Sequence, residues 1–116
     1  MKFENIGISD QEMKLSKLQY AAESVGFVLA GQWDYERVSF DYKFEDQVEN
    51  AVYYLRVQAY AIEGETPKSN AVVKLLDPVL GRHYYPHGVE YDEDFPSKIV
   101  SKATKKLETL KEQLEK

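Results

Sequence analysis

The sequence contains no cysteine, which excludes disulfide bonds, thiolate nucleophiles and cysteine-based zinc sites. Long hydrophobic runs are also absent, because no segment approaches the roughly 18 consecutive apolar residues that a membrane-spanning helix requires. The first residues, MKFENIGISDQEMK, lack the apolar stretch of a signal peptide and carry acidic side chains early. These absences predict a cytoplasmic protein with no membrane partner.

Motifs for phosphate binding and for nucleophilic catalysis are missing as well. The six glycines are scattered and form neither GxGxxG nor a Walker pattern. No Gly-x-Ser-x-Gly occurs, and neither of the two histidines has a third catalytic partner beside it in the sequence. The sequence therefore predicts no cofactor, no metal and no catalytic residue, and it favours a non-enzymatic protein.

Positive charge is in excess only at the C-terminal end of the chain. Residues 98–116 carry six Lys against three Glu, a net charge of +3. Residues 1–97 carry nine basic and seventeen acidic side chains, a net charge of −8. An acidic body repels phosphate backbones, so no nucleic-acid partner is expected. Because the basic end combines an apolar repeat with interspersed Glu, it predicts a helix with a solvated, charged face.

Four stretches have the pattern of β-strands. Residues 37–44 alternate strictly between apolar and polar side chains, which predicts a strand with one buried face. In residues 51–62 the odd-numbered side chains are small and apolar, so we expect them to face the core. Short connections between strands force antiparallel neighbours and predict a meander. The predicted strands are 27–33, 37–44, 51–62 and 71–76, with a short edge strand at 2–8.

Two helices flank these strands. A Ser9–Glu12 capping box and an apolar repeat that ends at Gly26 predict the first helix. Ser97 is expected to cap the second, whose apolar residues recur at spacings of three and four. This stripe is expected to pack on the sheet, and a dimer through it is the alternative. The chain is thus predicted to be a single α+β domain, residues 1–116, with both helices on one face of the sheet. The stripe consists of Val100, Ala103, Leu107, Leu110 and Leu114.

One run of residues in the first hairpin and the strand after it has a distinctive pattern. The run GFVLAGQWDYERVSFDYKF, followed by YYLRVQAYAIEGE, carries the Gly-aromatic start at Gly26, the Gly-x-Trp-Asp-Tyr segment, the Phe-Asp-Tyr-Lys arm and the Leu-Arg strand. These residues resemble the YugN-like family of small bacterial proteins. The similarity covers about residues 26–85. It implies a β-α-β4-α fold, similar to TATA-binding-protein-like or helix-grip domains, and it brings no activity and no catalytic residues with it.

The segment GRHYYPHGVEYDED, residues 81–94, holds both histidines and four acidic side chains. Histidines four residues apart share one face of a helix, but Pro86 lies between these two and disfavours a helix. The residues around it predict a turn instead, with His87 at the exposed tip of a small hairpin. His83 is expected in one arm, near the level of Glu90. Imidazoles placed in this way do not converge on one metal ion.

Aromatic residues are the most unusual part of the composition, with nine Tyr, five Phe and one Trp. Packing between strands is the interpretation we favour for them. A cavity between the sheet and the last helix is the alternative, because Tyr suits ligand pockets and interfaces. Arg56 is expected to pair with a carboxylate on a neighbouring strand, with Asp41 as the predicted partner. The candidate ligand-binding residues of such a cavity are Trp33, Tyr42, Tyr53, Arg56 and His83.

Two functions from different classes follow from these features. The first is a non-enzymatic protein-association module, including association into a homodimer, because Tyr-rich faces and a leucine stripe are typical of interfaces. The alternative is a small-molecule binding domain that takes an amphipathic or anionic ligand in an aromatic-lined cavity between the sheet and the last helix.

Overall fold

Two helices and seven strands are present in the structure, a computed structural model that describes residues 1–30, 35–66, 68 and 70–116. Every strand pairing is antiparallel, which together with the two helices confirms the α+β class. In chain order the elements are β1 (Glu12–Lys14), α1 (Leu15–Ser24), β2 (Val28–Leu29), β3 (Arg37–Asp46), β4 (Ala51–Glu63), β5 (Val72–Leu75), β6 (Val79–Tyr84), β7 (Gly88–Glu90) and α2 (Ser97–Leu114).

The sheet is organised around β4, which is 13 residues long. One edge of β4 pairs with the whole of β3, from Arg37 opposite Tyr60 to Asp46 opposite Ala51. The other edge is shared by β5 and β6, which lie end to end along it. The meander expected from the short connections therefore holds from β2 to β5, and β1, β6 and β7 extend the sheet beyond it. The sheet has more strands than the β-α-β4-α order implied, so the two fold names remain predictions.

Alternation along β4 separates a buried face from a half-buried face, as the sequence predicted. The odd-numbered residues from Ala51 to Ala59 are at most 3% exposed, whereas their even-numbered neighbours are half-buried. We call these the inner and outer faces of the sheet. Both helices pack on the inner face, because their apolar residues join one core cluster with it. The stripe of α2 is buried from Ala103 to Leu114, which confirms that it packs within the chain, but it begins with Ile99 and not with the predicted Val100, which is half-buried.

The predicted start of the first helix is wrong. Ser9 and Asp10 lie in a turn, and Asp10 has a φ of 69°. Residues that the capping box placed in the helix instead form β1, which pairs with β5. Backbone pairing in the sheet outweighs the local capping preference here. The helix begins at Leu15, and Gly26 follows its end with a φ of 99°.

Two other terminal predictions also differ from the structure. The expected edge strand at 2–8 is reduced to a single bridge between Lys2 and Val79, and β1 takes the edge position beside β5. Ser97 is the first residue of α2 and makes no capping hydrogen bond, because Pro96 precedes the helix as its cap residue. No helix in the described part of the chain is both long and apolar enough to cross a membrane.

The predicted hairpin around the histidines is present as β6 and β7. Gly88 has a φ of 89°, and His87 is exposed at the tip. His83 lies opposite Val89, one residue away from the predicted level of Glu90. No group of three or more His, Asp or Glu among the described residues is placed to hold a metal ion.

Candidate functional site

An open groove runs between β3 and α2. We call it the β3–α2 groove, and its volume is about 460 Å³. Its position between the sheet and the last helix is the one that the sequence suggested for a ligand cavity. The core beneath the groove is closed, because Phe40, Leu55 and Leu107 are fully buried. The groove is lined by Tyr42, Lys43, Phe44, Glu45, Ile99, Lys102, Lys105, Lys106 and Thr109.

The helical repeat of α2 supplies the basic wall of the groove. Lys102 and Lys106 are four residues apart, so their side chains share one face of the helix, and the buried Ile99 belongs to the neighbouring apolar stripe. Lys105 is on the adjacent row of the same helix. The apolar stripe, which is offset from this face, turns into the core and fixes the rotation of the helix. The lysines therefore stand along the β3 side of α2.

Aromatic side chains of β3 form the opposite wall. Tyr42 and Phe44 lie two residues apart on the inner face, with ring centroids 5.0 Å apart. Phe27 packs edge-on against Tyr42 from below, with centroids 5.8 Å apart. A Cβ atom at Gly26 would lie 2.9 Å from the Tyr42 ring, so glycine at this position lets the chain pass close beneath it. These contacts fix the aromatic wall.

The lysines of the groove differ in how far they are already engaged. The Lys106 Nζ lies 4.3 Å from the centroid of the Tyr42 ring and donates a 2.9 Å hydrogen bond to the Val25 carbonyl oxygen. The Lys43 Nζ lies 3.0 Å from the Glu45 carboxylate, and hydrogen bonding to that carboxylate raises the pKa of Lys43. Within the described part of the chain, Lys102 and Lys105 form no ion pair. Their two ammonium groups are therefore available to an anionic partner.

The five candidate residues from the sequence do not come together in one cavity. Tyr42 lines the β3–α2 groove. Tyr53 is 1% exposed and packs in the core against Phe95, with ring centroids 6.0 Å apart. Arg56 and His83 lie on the outer face, on the far side of the sheet from the groove. Trp33 lies outside the described residues.

Arg56 forms the centre of a polar network on the outer face. Its Nε and Nη2 atoms donate to the two carboxylate oxygens of Asp41 at 2.8 and 3.1 Å, which confirms the predicted pair. Its Nη1 atom donates to the Tyr91 hydroxyl at 2.7 Å. Hydrogen bonding to Asp41 raises the pKa of Arg56 above its already high ordinary value. Because its guanidinium group is engaged in these three hydrogen bonds, Arg56 has a structural role: it links β4 to β3 and to Tyr91.

His83 faces the outer surface beside Tyr54, with the two rings edge to face and their centroids 6.0 Å apart. The side chain is half-buried and lies in a layer of cross-strand contacts, where sheet aromatics commonly pack. Of the candidate residues that the structure describes, only Tyr42 thus belongs to a groove large enough for a ligand.

The sequence does not identify the lysines of α2 as site residues. Their spacing alone predicts a solvated, charged face. The pattern does not give the position of α2 relative to β3, because fifty residues separate the two elements in the chain. A charged helix face becomes part of a site only when the core places it beside another element.

Known proteins resemble this chain in sequence over most of its length. The family model of the YugN-like family matches residues 5–114. The uncharacterised protein YlbA of Bacillus subtilis is 46% identical over 105 residues, which cover 89% of this chain and 86% of YlbA. The uncharacterised protein YugN of the same organism is 28% identical over 83 residues, covering 72% of this chain and 60% of YugN.

A solved structure extends the similarity to three dimensions. The crystal structure of the uncharacterised conserved protein YugN from Geobacillus kaustophilus matches with a TM-score of 0.86 and 47% sequence identity. The match covers 99% of this chain and 95% of that one. The sequence resemblance first seen in residues 26–85 therefore extends over almost the whole chain.

Proposed function

The chain belongs to the YugN-like family, and we propose that it acts as a single-domain, non-enzymatic protein-association module that binds an acidic partner protein in the β3–α2 groove. One observation carries the proposal. Three Lys of α2 (Lys102, Lys105 and Lys106) line the groove, and Lys43 and Glu45 border it from β3 as an ion pair, on a chain whose net charge is −5. A cytoplasmic location, which the cysteine-free sequence predicts, is part of the proposal.

The contrast in charge favours an acidic partner over other partners. A basic patch on an acidic protein orients an approaching anionic surface towards that patch and speeds its association. Lys102 and Lys105 would gain ion pairs in the complex without losing any in the free protein. Tyr42 and Phe44 add apolar area beside them, and aromatic residues next to charge are typical of the centre of protein interfaces.

The β3–α2 groove, and not the leucine stripe, is the reason to expect association. Leu107, Leu110 and Leu114 are at most 2% exposed, so they offer no surface to a second copy of the chain. The β3–α2 groove presents its charged and aromatic side chains to solvent instead. A homodimer would have to use another surface, and its mass would be visible in native mass spectrometry of the purified protein.

The test uses fluorescently labelled poly-L-glutamate as the acidic probe, with binding followed by fluorescence anisotropy. Reversing the two unpaired charges in Lys102→Glu/Lys105→Glu should weaken binding by at least about tenfold, because like charges in contact are costly. The matched control Lys111→Glu/Lys116→Glu changes the net charge equally, in the last turn of α2 and just after its end, outside the groove. At physiological salt the Debye length is about 8 Å, so the control should weaken binding much less.

Two results would contradict the proposal. One is that the unmodified protein does not bind the probe at low salt. The other is an equal loss in the two double variants, because it would mean that the probe senses the overall charge and not the groove.

A small amphipathic anion is the second candidate for the same groove. The volume of about 460 Å³ lies within the range of roughly 300–1,000 Å³ that is usual for ligand pockets, and aromatic and basic side chains line it. Native mass spectrometry of freshly purified protein tests this candidate. A co-purified small molecule that the Lys102→Glu/Lys105→Glu variant loses would favour it over a protein partner.

A further inference from the structure

β3 has an uncovered edge where it borders the β3–α2 groove. β4 pairs with β3 along its full length, but β2 covers only Phe40 and Asp41 on the other edge. One further hydrogen bond, from the Ala30 N–H to the Ser39 carbonyl oxygen, continues the pairing along this edge in the direction away from the groove. Among the described residues, no strand pairs with that edge of residues 42–46.

The direction of the backbone groups on this edge follows from their neighbours. In a strand, the N–H and C=O of one residue point to the same side, and successive residues alternate between sides. The Ser39 carbonyl oxygen accepts a hydrogen bond from the Ala30 N–H, on the side of β2. The Glu36 carbonyl oxygen accepts one from the Ala61 N–H, on the side of β4. The backbone N–H and C=O groups of odd-numbered β3 residues therefore point to the open edge. Lys43 and Glu45 do so without a backbone partner in the described part of the chain.

The helix places its lysines beside this edge. A strand added to β3 would lie about 4.8 Å from it in the plane of the sheet. Its side chains would alternate, so that every second one would point to the inner side, where Lys102 and Lys105 line the groove. Carboxylates at those alternate positions would meet the two unpaired ammonium groups, and the intervening side chains would point away from α2.

We propose that the acidic partner binds as an extended peptide segment, which adds to β3 as a further strand at Lys43 and Glu45 and carries Asp or Glu at alternate positions. This inference rests on the proposed function and specifies how the partner binds. Backbone hydrogen bonds to the free edge give affinity, and the lysines of α2 select the side chains. Each residue of an added strand extends about 3.3 Å, so a segment of about three to five residues is long enough to pair with the free backbone groups of Lys43 and Glu45.

The alternative role for these residues is protection of an edge. Lysines on edge strands commonly prevent unwanted strand pairing. Here the Lys43 ammonium is paired with Glu45 at 3.0 Å, so the charge at the edge itself is balanced. The unbalanced charge lies on α2, on the opposite wall, where it attracts an acidic strand instead of repelling all strands.

The experiment uses short peptides selected by display from a library with Asp or Glu at alternate positions. The best binder is then synthesised as a series in which one backbone N–H at a time is replaced by N-methyl. For a strand added to β3, methylation at every second residue should weaken binding by about three- to tenfold or more, since each methyl removes one hydrogen bond. Methylation at the intervening residues, whose N–H groups face solvent, should have much smaller effects.

A pair of protein variants tests the same edge from the other side. Lys43→Pro removes the charge and also the N–H that faces the open edge, and it leaves the β4 pairing intact. Lys43→Gln removes the charge alone. Lys43→Pro should therefore bind the selected peptide more weakly than Lys43→Gln. Circular dichroism of both variants checks that the fold is kept, and the methylated peptides test the inference independently of that fold.

The outcomes separate this inference from the proposed function. If the library yields no peptide whose binding depends on Lys102 and Lys105, the proposed function fails and the inference fails with it. If such peptides bind but are insensitive to N-methylation at every position, the acidic partner stands and strand addition is overturned. An alternating pattern of sensitivity supports both.

Discussion

The Asp41–Arg56 pair should be one of the stronger single polar contributions to the stability of the sheet. The two residues lie directly opposite each other on β3 and β4 and share two hydrogen bonds. Fully exposed pairs contribute about 0–1 kcal/mol, whereas breaking a buried pair costs about 3–5 kcal/mol. The side chains of Arg56 and Asp41 are 26% and 18% exposed. We therefore expect a coupling energy between the two limits, about 1–2 kcal/mol.

The coupling energy is measured with a double-mutant cycle. Arg56→Met keeps the aliphatic stem and removes the donors, and Asp41→Asn keeps the shape and removes the charge. Each single variant should lose about 1.5–3 kcal/mol in the free energy of unfolding, because each leaves a charged partner without its hydrogen bonds. The double variant should lose less than the sum of the two. Urea denaturation followed by far-ultraviolet circular dichroism gives all four free energies.

A second cycle on Lys43 and Glu45 serves as the control. This pair has a similar separation, 3.0 Å, but its side chains are 50% and 54% exposed. Its coupling should be smaller than that of Asp41 and Arg56, and it should be more sensitive to added salt. The reasoning is refuted if the Asp41 and Arg56 variants are additive to within about 0.3 kcal/mol, because additivity is the behaviour of residues that do not interact.

Three further predictions concern other parts of the structure. Gly81→Ala should cost about 1–3 kcal/mol in urea denaturation, because its methyl group would lie 2.8 Å from the Tyr91 ring; an unchanged midpoint would refute the close packing over β6. Leu107→Ala should cost about 2–5 kcal/mol by the same measurement, because the side chain is fully buried; a loss below about 1 kcal/mol would mean that α2 is not seated on the sheet. The Lys98 ammonium, whose Nζ lies 3.0 Å from the Asp46 carboxylate, lowers the pKa of Asp46 below 3.8, so the stability that this carboxylate provides is present above that pH and lost as the pH falls through the lower native value. Asp46→Asn should therefore melt below the unmodified protein at pH 7, and the difference should shrink at pH values under about 4; a constant difference would argue against the ion pair.

The centre of the sheet could be predicted because its sequence signal is strong and local. Apolar and polar side chains alternate strictly along β3, and a similar alternation continues over the 13 residues of β4, which is typical of a β-strand and not of a helix. The register of β3 and β4 is then constrained by their short connection, and in the structure it places Asp41 opposite Arg56. These predictions rest on contacts between neighbouring segments of the chain.

The elements that were missed depend on contacts between distant segments. β1 lies where a capping box favoured a helix, and it is held there by β5, some sixty residues away in the chain. The β3–α2 groove has the same origin, since Tyr42 and Lys102 meet only after α2 packs on the inner face. Periodicity identifies which face of an element is buried, but not which element lies beside the exposed face.

The most direct test of the β3–α2 groove as the binding site is backbone amide chemical-shift mapping by nuclear magnetic resonance during a titration with poly-L-glutamate. The account predicts shifts confined to residues 42–45 and to the side of α2 that carries Lys102 and Lys105, and it predicts their loss in the Lys102→Glu/Lys105→Glu variant. Shifts centred on Arg56 and His83 on the outer face, or no shifts at all, would contradict it.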